Sequence, residues 1–191
     1  SSQAVIISGE SGAGKTECAK LILNYISTVS GSSGNAQHIK QCIADTNPVL
    51  ESFGNAKTIR NDNSSRFGKY LEIKFNQEGE PNSGATLKFL LEKTRVAFQG
   101  KGERNFHIFY NLIAGSSAEM REQFGLTGDP NQFSYLCQSG CTTVEGVDDA
   151  KVFHEVTEAC STVGMDTDTQ WYIWQLLAGI LHLGNVQFQG D

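Results

Sequence analysis

Eight consecutive residues, Gly9-Glu10-Ser11-Gly12-Ala13-Gly14-Lys15-Thr16, fit the pattern G-x-x-x-x-G-K-[ST] directly after the apolar run Ala4-Val5-Ile6-Ile7. The chemistry that these residue types perform in that order is phosphate binding. Glycines let the backbone turn tightly enough for successive N–H groups to point inward around an anion. Lys15 adds a mobile positive charge, and Thr16 a hydroxyl suited to ligating Mg²⁺. A glycine-rich turn with a surface lysine would use the same letters. The context argues for more, because an apolar run that predicts a strand precedes the turn and a helical pattern follows it. The motif reads as a nucleoside triphosphate site.

A second polar cluster, Asn61-Asp62-Asn63-Ser64-Ser65-Arg66-Phe67-Gly68-Lys69, gathers amides, two hydroxyls and an arginine. Alone it would read as a solvated turn. Beside a phosphate loop, hydroxyls and amides are what a triphosphate sensor needs. Leu71, Ile73 and Phe75 then alternate with Tyr70, Glu72 and Lys74, which predicts a half-buried strand holding the cluster in place.

The remaining elements follow from periodicity and punctuation. A helix is predicted from Thr16 to Val29, with Ala19, Ile22, Leu23 and Ile26 as one buried stripe. Its N-terminus would face the phosphates. Ser30 to Asn35 reads as a flexible polar loop. Asn47 before Pro48 predicts an N-cap and a short helix stopped by Gly54. Glu78 to Gly84 reads as a turn-rich connection, with Thr86 to Leu91 pairing back as a hairpin. Glu103 to Ala114 is apolar nearly all round, as a buried helix would be, with His107 a hydrogen-bonded core residue. Two amphipathic helices follow. One runs from Asp148 and Asp149 to Gly164, and the other from Asp168 through Trp171 and Trp174 to Gly184, with His182 in its core. Gly115 to Pro130 reads as a helix and loop without legible chemistry.

Composition sets bounds. A length of 191 residues suits one domain or two, and 15 basic against 21 acidic residues (net charge −6) leave no footprint for nucleic acid. Cys18, Cys42, Cys137, Cys141 and Cys160 are odd in number and lack paired zinc spacing, so they read as reduced thiols. With no signal peptide and no apolar run of membrane length, a soluble, cytoplasmic protein is expected. A strand beginning at the third residue predicts an excised piece of something longer.

The words GESGAGKT (9–16), NPVLESFGNAKT (47–58), NDNSSRFGK (61–69), LLEKTRV (90–96), GERNFHIFY (102–110) and LAGILHLGN (177–185) together resemble a myosin motor domain, in the family's order. Kinesins share the Asn-x-x-Ser-Ser-Arg core but typically follow the arginine with Ser-His. Phe67-Gly68-Lys69 is the myosin form, and GERNFHIFY is most similar to class I, single-headed myosins. The resemblance implies an α/β fold: a P-loop NTPase motor core with a mixed central sheet flanked by helices, and a mainly helical subdomain. On that map 1–30 is the phosphate loop with its strand and helix, 30–36 surface loop 1, 55–77 switch I and the following strand, and 100–191 the helical upper subdomain.

The resemblance also implies roles. Backbone groups of Gly9, Glu10, Ser11, Gly12, Ala13, Gly14 and Lys15 would cradle ATP, with Lys15 bridging the β- and γ-phosphates. Thr16 and Ser65 would hold Mg²⁺, while Ser11, Asn61 and Ser64 would contact the γ-phosphate or the attacking water. Arg66 would pair with a glutamate of a second sensing loop. No strand here ends in Asp-x-x-Gly; Val163-Gly164-Met165-Asp166 lies between two predicted helices and is discounted. The implied function is an actin-activated ATPase of the actin cytoskeleton, the 191-residue piece being inactive alone. Filamentous actin, calmodulin-like light chains and any membrane would be met mostly through segments elsewhere. A nucleotide-gated binding module without turnover is the alternative, and a small-molecule kinase a weaker rival that lacks an arginine-rich lid.

Overall fold

The computed structural model describes residues 2–10, 12–30 and 34–189. Helix α1 (Lys15–Val29) leaves the phosphate-loop motif and α2 (Gly34–Gly54) follows. Two short strands, β1 (Asn55–Ala56) and β2 (Ser64–Ser65), pair antiparallel. A longer hairpin, β3 (Gly68–Phe75) and β4 (Pro81–Phe89), comes next. A 3₁₀ turn (Lys93–Val96) leads to helices α3 (His107–Gly115), α4 (Ala118–Phe124), α5 (Ser134–Cys137), α6 (Asp149–Thr162) and α7 (Thr167–Gly184).

The core is helical, and α3 runs through it. Ile108, Phe109, Tyr110, Leu112 and Ile113 are all buried, as its apolar circumference predicts. Phe153, Val156 and Cys160 of α6 and Trp174, Leu177, Ala178 and Leu181 of α7 close around it. The Phe153 and Trp174 rings lie 5.0 Å apart. Gly115 is required where α3 meets α6, since a Cβ there would stand 2.4 Å from the Cβ of Phe153. The helix starts are fixed locally. The Asp148 carboxylate accepts from the N–H groups of Ala150 and Lys151, and that of Asp166 from Thr169. Asp166 is thus an N-cap, in keeping with its exclusion as a sensing-loop acid.

Several expectations are corrected. Ala4 to Ile7 is not a strand. Among the described residues no chain lies alongside to take its backbone hydrogen bonds, and Val5 and Ile6 are 68% and 91% exposed. Only the two antiparallel pairs are present among those residues, so the mixed central sheet is not seen here. The helix ended by Gly54 does not begin at Pro48. It extends back to Gly34 with Pro48 inside, so Asn47 is interior and not a cap, and Gly34 and Asn35 belong to helix and not loop. Its later turns pack on α3 and α6, and such packing overrides the loss of one N–H. The connection before β4 is shorter than predicted, because Asn76 closes the turn on Glu80. Helix α3 starts at His107 and not Glu103. The Asn105 side chain donates to the carbonyls of Val96 and Tyr135 (2.9 Å each), which holds that stretch outside a helix. His182 lies at the surface, where its Nε2 meets the Phe124 carbonyl at 2.7 Å. The α1 stripe is half-buried. Cys18, Cys137, Cys141 and Cys160 are free thiols. No helix among the described residues is long and apolar enough to cross a membrane.

Candidate functional site

The phosphate-loop motif keeps its turn without a paired strand. Gly12 and Gly14 take φ of 83° and 81°, the left-handed conformation that glycine adopts without a Cβ penalty. The chain then enters α1 at Lys15, leaving the first N–H groups of the helix toward the loop. The Lys15 ammonium folds over its own loop and donates to the carbonyls of Gly9 and Glu10, 2.5 Å each. Thr16 is the second residue of α1 and is partly buried. Ser11 lies outside the described residues, so its placement is not part of the site geometry.

The second cluster is carried by the β1–β2 hairpin. Asn55 pairs with Ser65 and Ala56 with Ser64, so Ser64 is 3% exposed while Ser65 faces outward. The intervening loop is closed by its own backbone, with Thr58 N–H donating to the Asn61 carbonyl at 2.9 Å. Asn61 turns its side-chain oxygen to the N–H of Asn63 (2.9 Å), an Asx-type turn. Lys57 and Asp62 form an ion pair across the loop. The phosphate loop faces this hairpin: a Cβ on Gly12 would come within 4.0 Å of the Arg60 carbonyl oxygen.

Asn63 anchors the hairpin on its other side. It donates to Glu51 Oε2 (3.0 Å), accepts from Asn55 Nδ2 (2.9 Å) and meets His107 Nε2 at 3.2 Å. Glu51 in turn pairs with Lys20 of α1 at 3.0 Å, so the helix leaving the glycine-rich turn and the β1–β2 hairpin share one carboxylate. Burial opposes the charge on Lys20, but Glu51 and Glu17 outweigh it and raise its pKa. His107 moves the other way, down to about 4. Burial is the main cause, the Arg104 charge adds to it, and Asp62 opposes both. His107 is therefore neutral at physiological pH, and the hydrogen-bonded role expected of it holds.

Arg66 closes the cluster. Its Nη1 donates to Ser64 Oγ (3.2 Å) and its Nε to Glu92 Oε2 (2.7 Å). The same oxygen of Glu92 accepts from Arg95 Nε at 2.7 Å, and Arg95 also reaches Glu103 at 2.9 Å. Burial works against ionisation of Glu92, yet the two arginines hold its pKa below the ordinary carboxylate value. Behind this row Arg104 is fully buried, bidentate to Asp149 (3.1 and 2.9 Å) and 3.8 Å above the Tyr110 ring. Burial is the first cause of the rise of the Tyr110 hydroxyl pKa to about 12.

Ser64 and Arg66 are thus in contact, while Gly12 and the loop carrying Asn61 face one another. Thr16 and Ser65 stand on the two separate arms. Sequence reasoning missed the supporting residues Glu51, Asn63, Glu92, Arg95, Arg104 and Asp149. A signal was present, since LLEKTRV and GERNFHIFY are charge-bearing words inside apolar stretches. A cavity of about 570 Å³ lies behind the hairpin, lined in part by Lys20, Glu51, Asn63, His107 and Asn111. None of the described residues of the glycine-rich turn lines it.

Residues 1–191 match the family model "Myosin head (motor domain)". The chain is 52% identical over 190 residues to the Myosin ID heavy chain of Dictyostelium discoideum, covering 100% of this chain and 17% of that protein. It is 54% identical over 186 residues to the Myosin heavy chain IB of Acanthamoeba castellanii, covering 97% and 16%. With Myosin-1 of Sclerotinia sclerotiorum it shares 51% over 191 residues, 99% of this chain and 15% of that one. The chain spans about a sixth of the length of these curated relatives. A family model that matches from the first residue to the last, on a chain whose glycine turn and serine hairpin face each other, admits one conclusion: the chain belongs to the myosin head (motor domain) family, and it is most similar to class I members.

Proposed function

We propose that this chain is the Mg-ATP-binding and hydrolysing part of an actin-based motor, coupling turnover to filament binding and force. The observation that carries the reading is the approach of Gly12 to the Arg60 carbonyl, which sets a lysine-bearing phosphate turn against a hairpin of hydroxyls, amides and an arginine. The donor set suits the ligand. Backbone N–H groups of Gly9 to Lys15 and the start of α1 favour an anion. The Thr16 and Ser65 hydroxyls are hard oxygen donors of the kind Mg²⁺ takes. When bound, that ion neutralises charge on the β- and γ-phosphates.

In this reading Lys15 exchanges its two carbonyl partners for phosphate oxygens, and Ser11, Asn61 and Ser64 orient the γ-phosphate or water. Arg66 pairs with a carboxylate supplied by another segment of the longer protein, locking the hairpin over the nucleotide. None of these groups is a strong base, and phosphoryl transfer does not require one, because positioning and charge stabilisation carry most of the rate. The 1–30, 30–36, 55–77 and 100–191 divisions are taken as parts of one motor domain, with the mixed central sheet completed by strands from elsewhere. Filament contacts and light-chain sites belong to other segments, and the motor works at the actin cytoskeleton.

The test is Lys15→Ala in the full-length heavy chain, titrated with a fluorescent ATP analogue. Loss of an ammonium with charge-assisted bonds to a triphosphate costs about 2–5 kcal/mol, so affinity falls at least thirtyfold. Unchanged affinity refutes the phosphate-loop assignment. Tight binding in the wild-type protein, with no turnover and no rise on adding filamentous actin, points instead to a nucleotide-gated binding module.

A further inference from the structure

The LLEKTRV segment supports the cluster without a role of its own in the proposed reaction, yet its Glu92 grips Arg66 from behind. Glu92 Oε2 accepts from Arg66 Nε at 2.7 Å, and the Glu92 N–H donates to the Arg66 carbonyl at 3.0 Å. Glu92 is itself held. Arg95, nearly fully buried, donates to the same oxygen at 2.7 Å and is fixed in turn by Glu103 (2.9 Å) and the Arg104 carbonyl (3.2 Å). Arg66 is therefore clasped along its Nε edge by Glu92 and on Nη1 by Ser64. Among the described residues its side-chain hydrogen bonds are those of Nε and Nη1, which leaves Nη2 open, and the side chain remains partly exposed. A guanidinium carries five N–H donors in a rigid planar fork, so fixing the Nε edge fixes the direction of the opposite edge.

We propose that Glu92 is a positioning residue for the hydrolysis step: it holds Arg66 so that the Nη edge stays directed at the carboxylate that closes the site. This rests on the reading of Arg66 as the closing arginine. Its side-chain partners are Arg66 and Arg95, and it acts by preorganising a long side chain that would otherwise sample many rotamers. Arg95 and Glu103 are the frame that keeps Glu92 itself from moving, and their opposite charges leave the four-residue row neutral before the incoming carboxylate arrives.

Single-turnover quench-flow with Mg-ATP on the full-length heavy chain tests this, alongside nucleotide affinity. Glu92→Ala slows hydrolysis about tenfold to a hundredfold, the scale of a misplaced catalytic partner, with nucleotide affinity unchanged. Glu92→Gln, which keeps an acceptor oxygen, falls between Glu92→Ala and the wild type. In an Arg66→Ala background, Glu92→Ala has no further effect on the hydrolysis rate, because the group it positions is gone. Additive losses in that double variant, or normal hydrolysis in Glu92→Ala, overturn the proposal. If Glu92→Ala loses nucleotide binding through misfolding, Glu92→Gln carries the same cycle. Normal hydrolysis in Arg66→Ala alone overturns the closing-arginine reading and this proposal together, whereas slow Arg66→Ala with normal Glu92 variants overturns only the latter.

Discussion

Removing Asp149 should cost far more than removing its partner Arg104, although the two make the same pair of hydrogen bonds. Arg104 is fully buried, and among the described residues it has no other counter-charge in contact and its Nε lacks a hydrogen-bond partner. Asp149→Ala strands that guanidinium inside the protein, a change worth about 3–5 kcal/mol. Arg104→Met leaves a different remnant. Asp149 is partly exposed, keeps the Asn111 amide donor at 2.7 Å and is the first residue of α6, where the helix dipole favours a negative charge. Against that stands the lost stacking on Tyr110, so the net cost is about 1–2 kcal/mol. Hydrogen exchange followed by mass spectrometry over α6 reads the difference locally in the full-length protein. Exchange should quicken more than a hundredfold in Asp149→Ala and about five- to thirtyfold in Arg104→Met, at tenfold per 1.4 kcal/mol. Equal effects, or a larger one for Arg104→Met, would refute the argument that the asymmetry follows from burial.

Three further outcomes are expected. His107 has a folded pKa of about 4 against 6.5 ordinarily, so the unfolded chain binds its proton first as pH falls. Its contribution is complete above pH 6.5 and is lost toward pH 4, with about 2 kcal/mol gone by pH 5. Denaturation midpoints at pH 7 and pH 5 should therefore differ more for the wild type than for His107→Gln, and equal differences would count against it. Gly54→Ala places a Cβ 2.3 Å from the Phe67 ring, so Phe67 must swing away beside Arg66. A loss of about 1–3 kcal/mol is expected in thermal melts, and an unchanged melting temperature would show that the ring moves freely. Asn63→Ala leaves Glu51, Asn55 and His107 each short of a partner, so exchange over residues 57–63 should accelerate about tenfold; protection equal to the wild type would demote Asn63.

What the sequence disclosed was local. The helix start at Asp148, the stop at Gly54 and the strand from Tyr70 to Phe75 are short-range signals seen in the fold, although Phe75 is exposed where the alternation would bury it; the cap at Asp166 was not read, the helix being expected from Asp168. Pro48 misled because its local preference for a helix start was outweighed by tertiary packing of the helix that runs through it. Ala4 to Ile7 misled for the opposite reason, since an apolar run becomes a strand only where another strand lies beside it. The turn glycines and the serine–arginine arm stood out as letters, because the phosphate binding proposed for them calls for those types. Their supports were not. Glu92 lies 26 residues from Arg66 and Asp149 lies 45 from Arg104, and no spacing rule connects such pairs.

The β1–β2 register makes the length of the loop between them a chemical constraint. Ser64 and Ser65 are adjacent in sequence but occupy opposite faces of a two-residue strand, one turned into the protein and the other out. Residues 57–63 join the two strands through their own closures, Thr58 to Asn61, Asn61 to Asn63 and Lys57 to Asp62, and so fix which residue meets Asn55. A length change that the loop passed on to the pairing as a slip of one position would reverse the parity of everything after it. The inward hydroxyl would become the outward one, Arg66 would turn away from Glu92, and every functional residue would still be present in the sequence. The arm therefore depends on two things at once, the register that turns Ser64 inward and the identities of Asn61 and Asn63 in the loop before it.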